Sequence, residues 1–141
     1  MSHDPLDTPI QPLPDPDTAE FWNATAQGRL ALCHCRACER WIQPPLARCP
    51  ACWGKTQFDA VSGAGSLYSF IVVRHPSAPG YLRSLPQVIG LVELDEQPGL
   101  RLSARIVDAE PEKLRIGQRV QAEIVPLPGG DFRIPVFRTC E

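Results

Sequence analysis

The densest chemistry in the chain is "CHCRACERWIQPPLARCPAC", residues 33–52, which holds five of its six cysteines. Cys35-x-x-Cys38 and Cys49-x-x-Cys52 form two pairs separated by ten residues. A CxxC turn aims two thiolates at one point, and two such turns complete a tetrahedron around a metal, with zinc ahead of iron. Four thiolates repel one another without the cation. With it, metal binding supplies on the order of 10 kcal/mol to folding, which matters for a segment of about 30 residues with almost no core of its own. A closed shell of four sulfurs leaves no open coordination position, so the expected metal is structural and not catalytic. The competing chemistry is a pair of redox dithiols. That motif opens a helix in a βαβ context, whereas Pro44, Pro45 and Pro50 and β-rich surroundings accompany these cysteines.

Cys33 lies two residues before Cys35, outside both pair spacings, and is left out of the quartet. Cys140 is expected to be a free thiol. His34 reads as a surface residue, because four thiolates are already available. Trp41 and Trp53 flank the knuckles and are expected to cover the site and pack it on the following domain.

Other chemistry is sparse. The chain contains no P-loop, no dinucleotide-binding glycine turn and no GxSxG nucleophile elbow. Its histidines are His3, His34 and His75. In "VVRHPSAPGYLRSLP", Arg74, His75, Tyr81 and Arg83 could contact an anionic, nucleotide-like ligand through charge and stacking; the plainer reading is an ordinary polar loop. No paired carboxylates suggest general acid–base work, so catalysis by this chain alone is not expected.

The elements that must position these residues follow from composition and periodicity. The 141 residues suffice for one ordinary domain or two small ones. Sixteen prolines and ten glycines favour turns and short strands over long helices. Residues 1–16 alternate proline with small or polar residues and read as an extended, flexible arm. Residues 17–28, "DTAEFWNATAQG", read as a short helix, with Asp17 as cap, Glu20 three residues on and Gly28 as stop. Phe21 and Trp22 give it an apolar face, which either packs on its own domain or offers an interface to another subunit. Residues 29–58 are the ribbon, and "RLALCHC" within it alternates like a strand.

Residues 59–141 read as all-β, with strands at 64–75, 86–96, 100–107, 119–126 and 131–137 and a helical turn at 108–117. Five short strands with a helical turn after the third suit an oligonucleotide/oligosaccharide-binding (OB) barrel. The expected architecture is therefore mainly β: an N-terminal short helix and a rubredoxin-like zinc ribbon, then a five-stranded OB-fold barrel. No apolar run reaches the roughly 20 residues of a membrane helix. The N-terminus lacks the basic and apolar regions of a signal peptide, which makes the cytoplasm the expected location. Cysteines there stay reduced, which favours metal over disulfides.

The order of motifs resembles a known family. "FWNATAQGRLAL", "CRACERWIQPPLARCPAC", "SGAGSLYSFIVVRHP", "VIGLVELDE" and "LRIGQRV" together resemble the zinc-ribbon/OB-fold family catalogued as domain of unknown function 35, over roughly residues 18–138. The resemblance implies a small accessory protein acting beside thiolase-fold enzymes or hot-dog-fold enoyl-CoA hydratases in acyl-CoA metabolism, including steroid side-chain degradation. It implies that the partner carries the catalytic residues. The accessory chain then contributes an interface, helps order the active site and helps hold a CoA thioester. It also implies metal binding by Cys35, Cys38, Cys49 and Cys52.

Charge bears on the choice of ligand. Residues 1–28 carry five acidic side chains and no Lys or Arg, while residues 29–58 carry Arg29, Arg36, Arg40, Arg48 and Lys55 against Glu39. A basic middle suits a phosphate-bearing ligand such as CoA, or is simply a solvated surface. The alternative function is a single-stranded nucleic-acid-binding module. That work needs a basic groove with stacking aromatics, and a net charge of −2 argues against it.

Overall fold

The structure, a computed structural model, describes residues 8–75, 78–81 and 84–140. A helix α1 (Ala19–Ala26) leads into a three-stranded ribbon sheet, in which β1 (Ala31–Cys35) is flanked by β2 (Trp41–Ile42) and β3 (Thr56–Ala60), both antiparallel to it. Five more strands follow: β4 (Ala64–Val73), β5 (Gln87–Leu94), β6 (Arg101–Ile106), β7 (Arg119–Pro126) and β8 (Arg133–Thr139). They close a barrel in the order β4-β5-β6-β8-β7, with a single 3-10 turn at Pro111–Lys113 between β6 and β7. This Greek-key closure is the OB-fold architecture expected from the strand pattern.

Local chemistry explains the helix limits. The start is held by Asp15 rather than by the expected Asp17. The Asp15 carboxylate accepts from the Thr18 backbone N–H at 2.9 Å and from its hydroxyl at 3.0 Å. Thr18 occupies the N-cap position and makes no side-chain bond into the helix, so Asp15 acts by fixing Thr18 from the turn before it, while Asp17 lies inside that turn. The stop is as read. Gly28 takes a φ of 78°, its N–H donates to the Thr25 carbonyl at 2.9 Å, and the Arg29 N–H reaches the Ala24 carbonyl at 2.9 Å. That pair of bonds is a Schellman termination.

Ribbon and barrel share one core. Leu30 and Leu32 from the ribbon lie in the same buried cluster as Leu67, Val92, Leu102 and Phe137 of the barrel. A polar clamp adds to this. The Gln97 side chain, in the turn between β5 and β6, accepts from the Trp41 N–H at 2.8 Å and donates to the Trp41 carbonyl at 3.0 Å. One amide thus pairs the backbone of the short β2 as a neighbouring strand would.

Residues 1–7 of the proline-rich segment lie outside the described residues. Beyond them, Pro9 is buried and Gln11 donates to the Pro128 carbonyl at 3.0 Å. This part of the segment therefore lies on the barrel instead of standing free. A side-chain hydrogen bond and a buried proline ring anchor it, neither of which shows as hydrophobic periodicity.

Two substitutions test these supports. Gly28→Ala meets no close neighbour, so its cost is conformational, about 1 kcal/mol in urea denaturation. Gln97→Ala leaves both Trp41 backbone groups without their partner and is expected to cost about 1–2 kcal/mol. It should also raise hydrogen exchange at the Trp41 amide selectively.

Candidate metal centre and the barrel cavity

Two knuckles of the same design build the cysteine cluster. In the first, the Cys35 N–H donates to the Arg40 carbonyl at 2.8 Å; in the second, the Cys49 N–H donates to the Gly54 carbonyl at 3.0 Å. Each turn is closed by a residue in the left-handed region, Glu39 at φ 62° and Trp53 at φ 64°. Backbone N–H groups point at the sulfurs: Ala37 and Cys38 toward Cys35, Ala51 toward Cys49 and Gly54 toward Cys52, each at 3.4 Å. Gly54 is required by space, since a Cβ there would stand 3.0 Å from the Ala37 Cβ and 3.1 Å from the Cys35 sulfur.

The four Sγ atoms of Cys35, Cys38, Cys49 and Cys52 all lie within 4.8 Å of one another, with Cys35–Cys52 at 3.5 Å and Cys38–Cys49 at 3.7 Å. Sulfurs about 2.3 Å from a tetrahedral zinc stand about 3.8 Å apart, so the cluster fits such an ion. The electrostatics agree. The Cys38 N–H, with that of Ala37, outweighs burial and pulls the Cys35 thiol down to about 6. The Arg40 N–H favours the Cys38 thiolate, but burial and the surrounding sulfurs outweigh it and push that thiol up to about 12. Neighbouring thiols that share protons in this way exchange them for a cation.

The other ribbon residues sort themselves around this centre. Cys33 is fully buried but outside the cluster; it packs with Ile42 and Phe58, and its thiol points to the Leu46 carbonyl at 3.4 Å. His34 is not the loose surface residue that the sequence suggested. Its Nδ1 lies 2.7 Å from an Asp59 carboxylate oxygen, its Nε2 lies 2.9 Å from the Glu39 carbonyl, and its ring stacks on Trp41 at 3.9 Å. Trp41 packs toward the barrel as expected. Trp53 does not: it is 76% exposed, because the left-handed turn at its own position throws the indole outward.

The barrel carries a second feature. β6 and β8 are paired at one register position, Ile106 with Phe137. Where the strands part, a cavity of about 500 Å³ opens between α1, β6, β8 and the loop between β4 and β5. Phe21 and Trp22 form its helix wall, and Trp22 is also edge-on to Phe132 at 5.5 Å. Ile89, Leu102 and Ile134 contribute from three strands, and Arg105 and Tyr81 from the edge. The sequence thus placed Phe21 and Trp22 on an apolar face, and that face meets the chain's own barrel.

Of the loop residues singled out as ligand contacts, Tyr81 reaches the cavity. Arg74 is directed to Glu112 at 3.9 Å, and His75 is exposed. Arg83 lies outside the described residues. Arg105, whose guanidinium lies 5.5 Å from the Tyr81 ring centre, was missed as a site residue. The signal available was the alternation in "LRLSARIV", which sets Arg101, Ser103 and Arg105 on the outer barrel face.

A closed four-cysteine knuckle pair fused to a five-stranded Greek-key barrel defines a zinc-ribbon/OB-fold protein. Family models agree. Residues 22–59 match the ChsH2 rubredoxin-like zinc ribbon domain, and residues 59–125 match the ChsH2 C-terminal OB-fold domain. A DUF35 domain-containing scaffold protein of Methanothermobacter thermautotrophicus is 30% identical over 74% of this chain and 79% of its own length. The chain belongs to the DUF35 family.

A probable enoyl-CoA hydratase alpha subunit of Thermomonospora curvata is 37% identical over 86% of this chain and 37% of its own. A 3-oxo-4,17-pregnadiene-20-carboxyl-CoA hydratase alpha subunit of Mycobacterium tuberculosis is 33% identical over 86% and 38%. The chain therefore spans little more than a third of the length of these two relatives. Among solved structures, a chain of the Ltp2-ChsH2(DUF35) aldolase matches with a TM-score of 0.82 at 34% identity, covering 92% of this chain and 98% of that one. No helix among the described residues is long and apolar enough to cross a membrane.

The His34–Asp59 contact yields a pH prediction. The His34 hydrogen bond, together with Gln57, holds the Asp59 carboxyl below its ordinary value despite burial. A depressed carboxyl stabilises the fold above its unfolded pKa, about 3.9, and that stabilisation is lost as pH falls through the folded value. Asp59→Asn should therefore be less stable than the native chain at pH 7, and the two urea midpoints should converge below about pH 4.

Proposed function

We propose that this chain is a non-catalytic accessory subunit of an acyl-CoA-processing complex. Its partner is a thiolase-fold aldolase, thiolase or acyltransferase, or a hot-dog-fold enoyl-CoA hydratase, and that partner carries the reacting groups. The observation that carries this reading is the near-complete match, at 34% identity, to a chain of an aldolase assembly. Relatives named as hydratase alpha subunits and as a scaffold protein support it. An acyl-CoA thioester is the substrate class assigned to the complex.

Cys35, Cys38, Cys49 and Cys52 are assigned as ligands of a structural zinc, which would supply charge neutralisation and a rigid cross-link. Leu46 and Trp53, exposed apolar residues on the ribbon, are assigned to the contact with the partner. Exposed tryptophans on rigid supports are the usual anchors of such interfaces. The OB face supports the acyl-CoA reading over single-strand nucleic-acid binding. That face carries an apolar cavity where a single-strand binder would present a basic, aromatic groove.

Two experiments test these assignments. Metal analysis of purified protein should give one zinc per chain, lost with solubility in Cys35→Ser or Cys49→Ser and retained in Cys33→Ser; loss in the Cys33 variant would mean that the quartet is wrong. Co-expression with a thiolase-fold enzyme or enoyl-CoA hydratase of the same organism should yield a stable complex on size exclusion with one of them. Trp53→Glu should weaken that complex at least tenfold while leaving the melting temperature within about 2 °C of native. Absence of any complex, together with salt-sensitive binding of single-stranded DNA, would overturn the accessory-subunit reading.

A further inference from the structure

The cavity at the β6–β8 seam has four properties that bear on an occupant. It lies on the barrel face formed by the second and third strands, β5 and β6, beside the loop that joins the first strand to the second. In OB folds this is the face and one of the loops that take ligands. Its volume, about 500 Å³, is that of a small-molecule site. Its walls are apolar on the helix side, through Phe21 and Trp22, and on the strand side, through Ile89, Leu102 and Ile134. Among the described residues that line it the cation is Arg105, half-buried at the edge, with its guanidinium over the Tyr81 ring. Among the described residues Arg105 makes no ion pair.

We propose that this cavity binds a compact apolar ligand carrying a negative group at one end, of which a medium-chain carboxylate is the simplest example. The apolar body displaces water from the seam between α1 and the two diverging strands. The guanidinium of Arg105, steadied by Tyr81, takes the anionic end through charge-assisted hydrogen bonds, which are stronger than those to a neutral hydroxyl. An occupant with no charge would leave Arg105 partly desolvated and unpaired, so the site discriminates against it. The inference rests on the acyl-handling reading only for its biological setting; the binding site itself stands on the cavity and its cation. A partner's apolar side chain is the competing occupant.

The test uses the full chain with 8-anilinonaphthalene-1-sulfonate as a fluorescent reporter, displaced by decanoate or by decanol. Decanoate is expected to displace the reporter saturably and about tenfold more tightly than decanol. Arg105→Gln, an edge substitution that leaves the walls intact, should bring the two ligands within about threefold of each other. Ser103→Trp, at an exposed position of β6 that lines the cavity, should weaken both by tenfold or more; if that variant unfolds, the Arg105→Gln ratio decides alone. Failure of decanoate to displace the reporter, equal affinities for the two ligands in the native chain, or an unchanged ratio in Arg105→Gln would overturn the proposal. So would a native chain that binds neither ligand while Ser103→Trp abolishes the partner complex, because the cavity is then a socket for the partner. Decanoate binding without complex formation removes the accessory-subunit reading and keeps this one; a complex without decanoate binding does the reverse.

Discussion

Four cysteine sulfurs within 4.8 Å of one another are the constraint on which the ribbon depends. As thiolates they hold together only around a cation, and the ribbon has little else to hold it. Its own buried cluster is Cys33, Cys35, Ile42 and Cys49, with Phe58 packed against it. Two of the four buried members are themselves cluster sulfurs. A segment this poor in apolar interior cannot offset its ordering entropy through burial alone. The N–H groups aimed at the sulfurs and the two left-handed turns are therefore not ornaments of the knuckles. They are the means by which the backbone presents four sulfurs at spacings a tetrahedral ion accepts.

The rigidity gained there passes to the barrel through two contacts of different kinds. Leu30 and Leu32 extend the barrel core under the ribbon, which fixes distance but not register. Gln97 fixes register, because its amide pairs with both backbone groups of Trp41. Trp41 in turn carries the His34 ring, whose nitrogens face Asp59 on β3 and the Glu39 carbonyl of the first knuckle. A continuous path of polar and stacked contacts thus runs from the cysteine cluster to the turn between β5 and β6. The exposed indole of Trp53 is presented from the cluster end of that path.

Much of this was legible in the sequence, for reasons that are local. The CxxC spacings, the strands β4 to β8 and the Gly28 stop are each set by residues within a few positions of one another, and each was read correctly. What escaped reading is set across the chain. Thr18, not Asp17, stands at the N-cap, held from the preceding turn by Asp15 two residues before the expected cap. Strands β2 and β3 lack clear alternation, and they exist because β1 supplies hydrogen-bond partners on both edges. Trp53 was expected to cover the metal site, and only the backbone φ that the knuckle imposes sends it outward.

The cavity shows the same limit most clearly. Its walls come from α1, β5, β6, β8 and the loop before β5, so no window of sequence contains it. It exists because a five-stranded Greek key must bring its third and fifth strands together in parallel, and here they meet at a single pair, Ile106 and Phe137. A barrel that closes this loosely either admits water along the seam or covers it. The short helix with two aromatics is the cover on one side, which is why a marginal helix of eight residues is stable at all. Phe21 and Trp22 therefore have a role before any partner is considered: they complete the barrel, and in doing so they leave a space that is apolar, bounded and open at the edge held by Arg105.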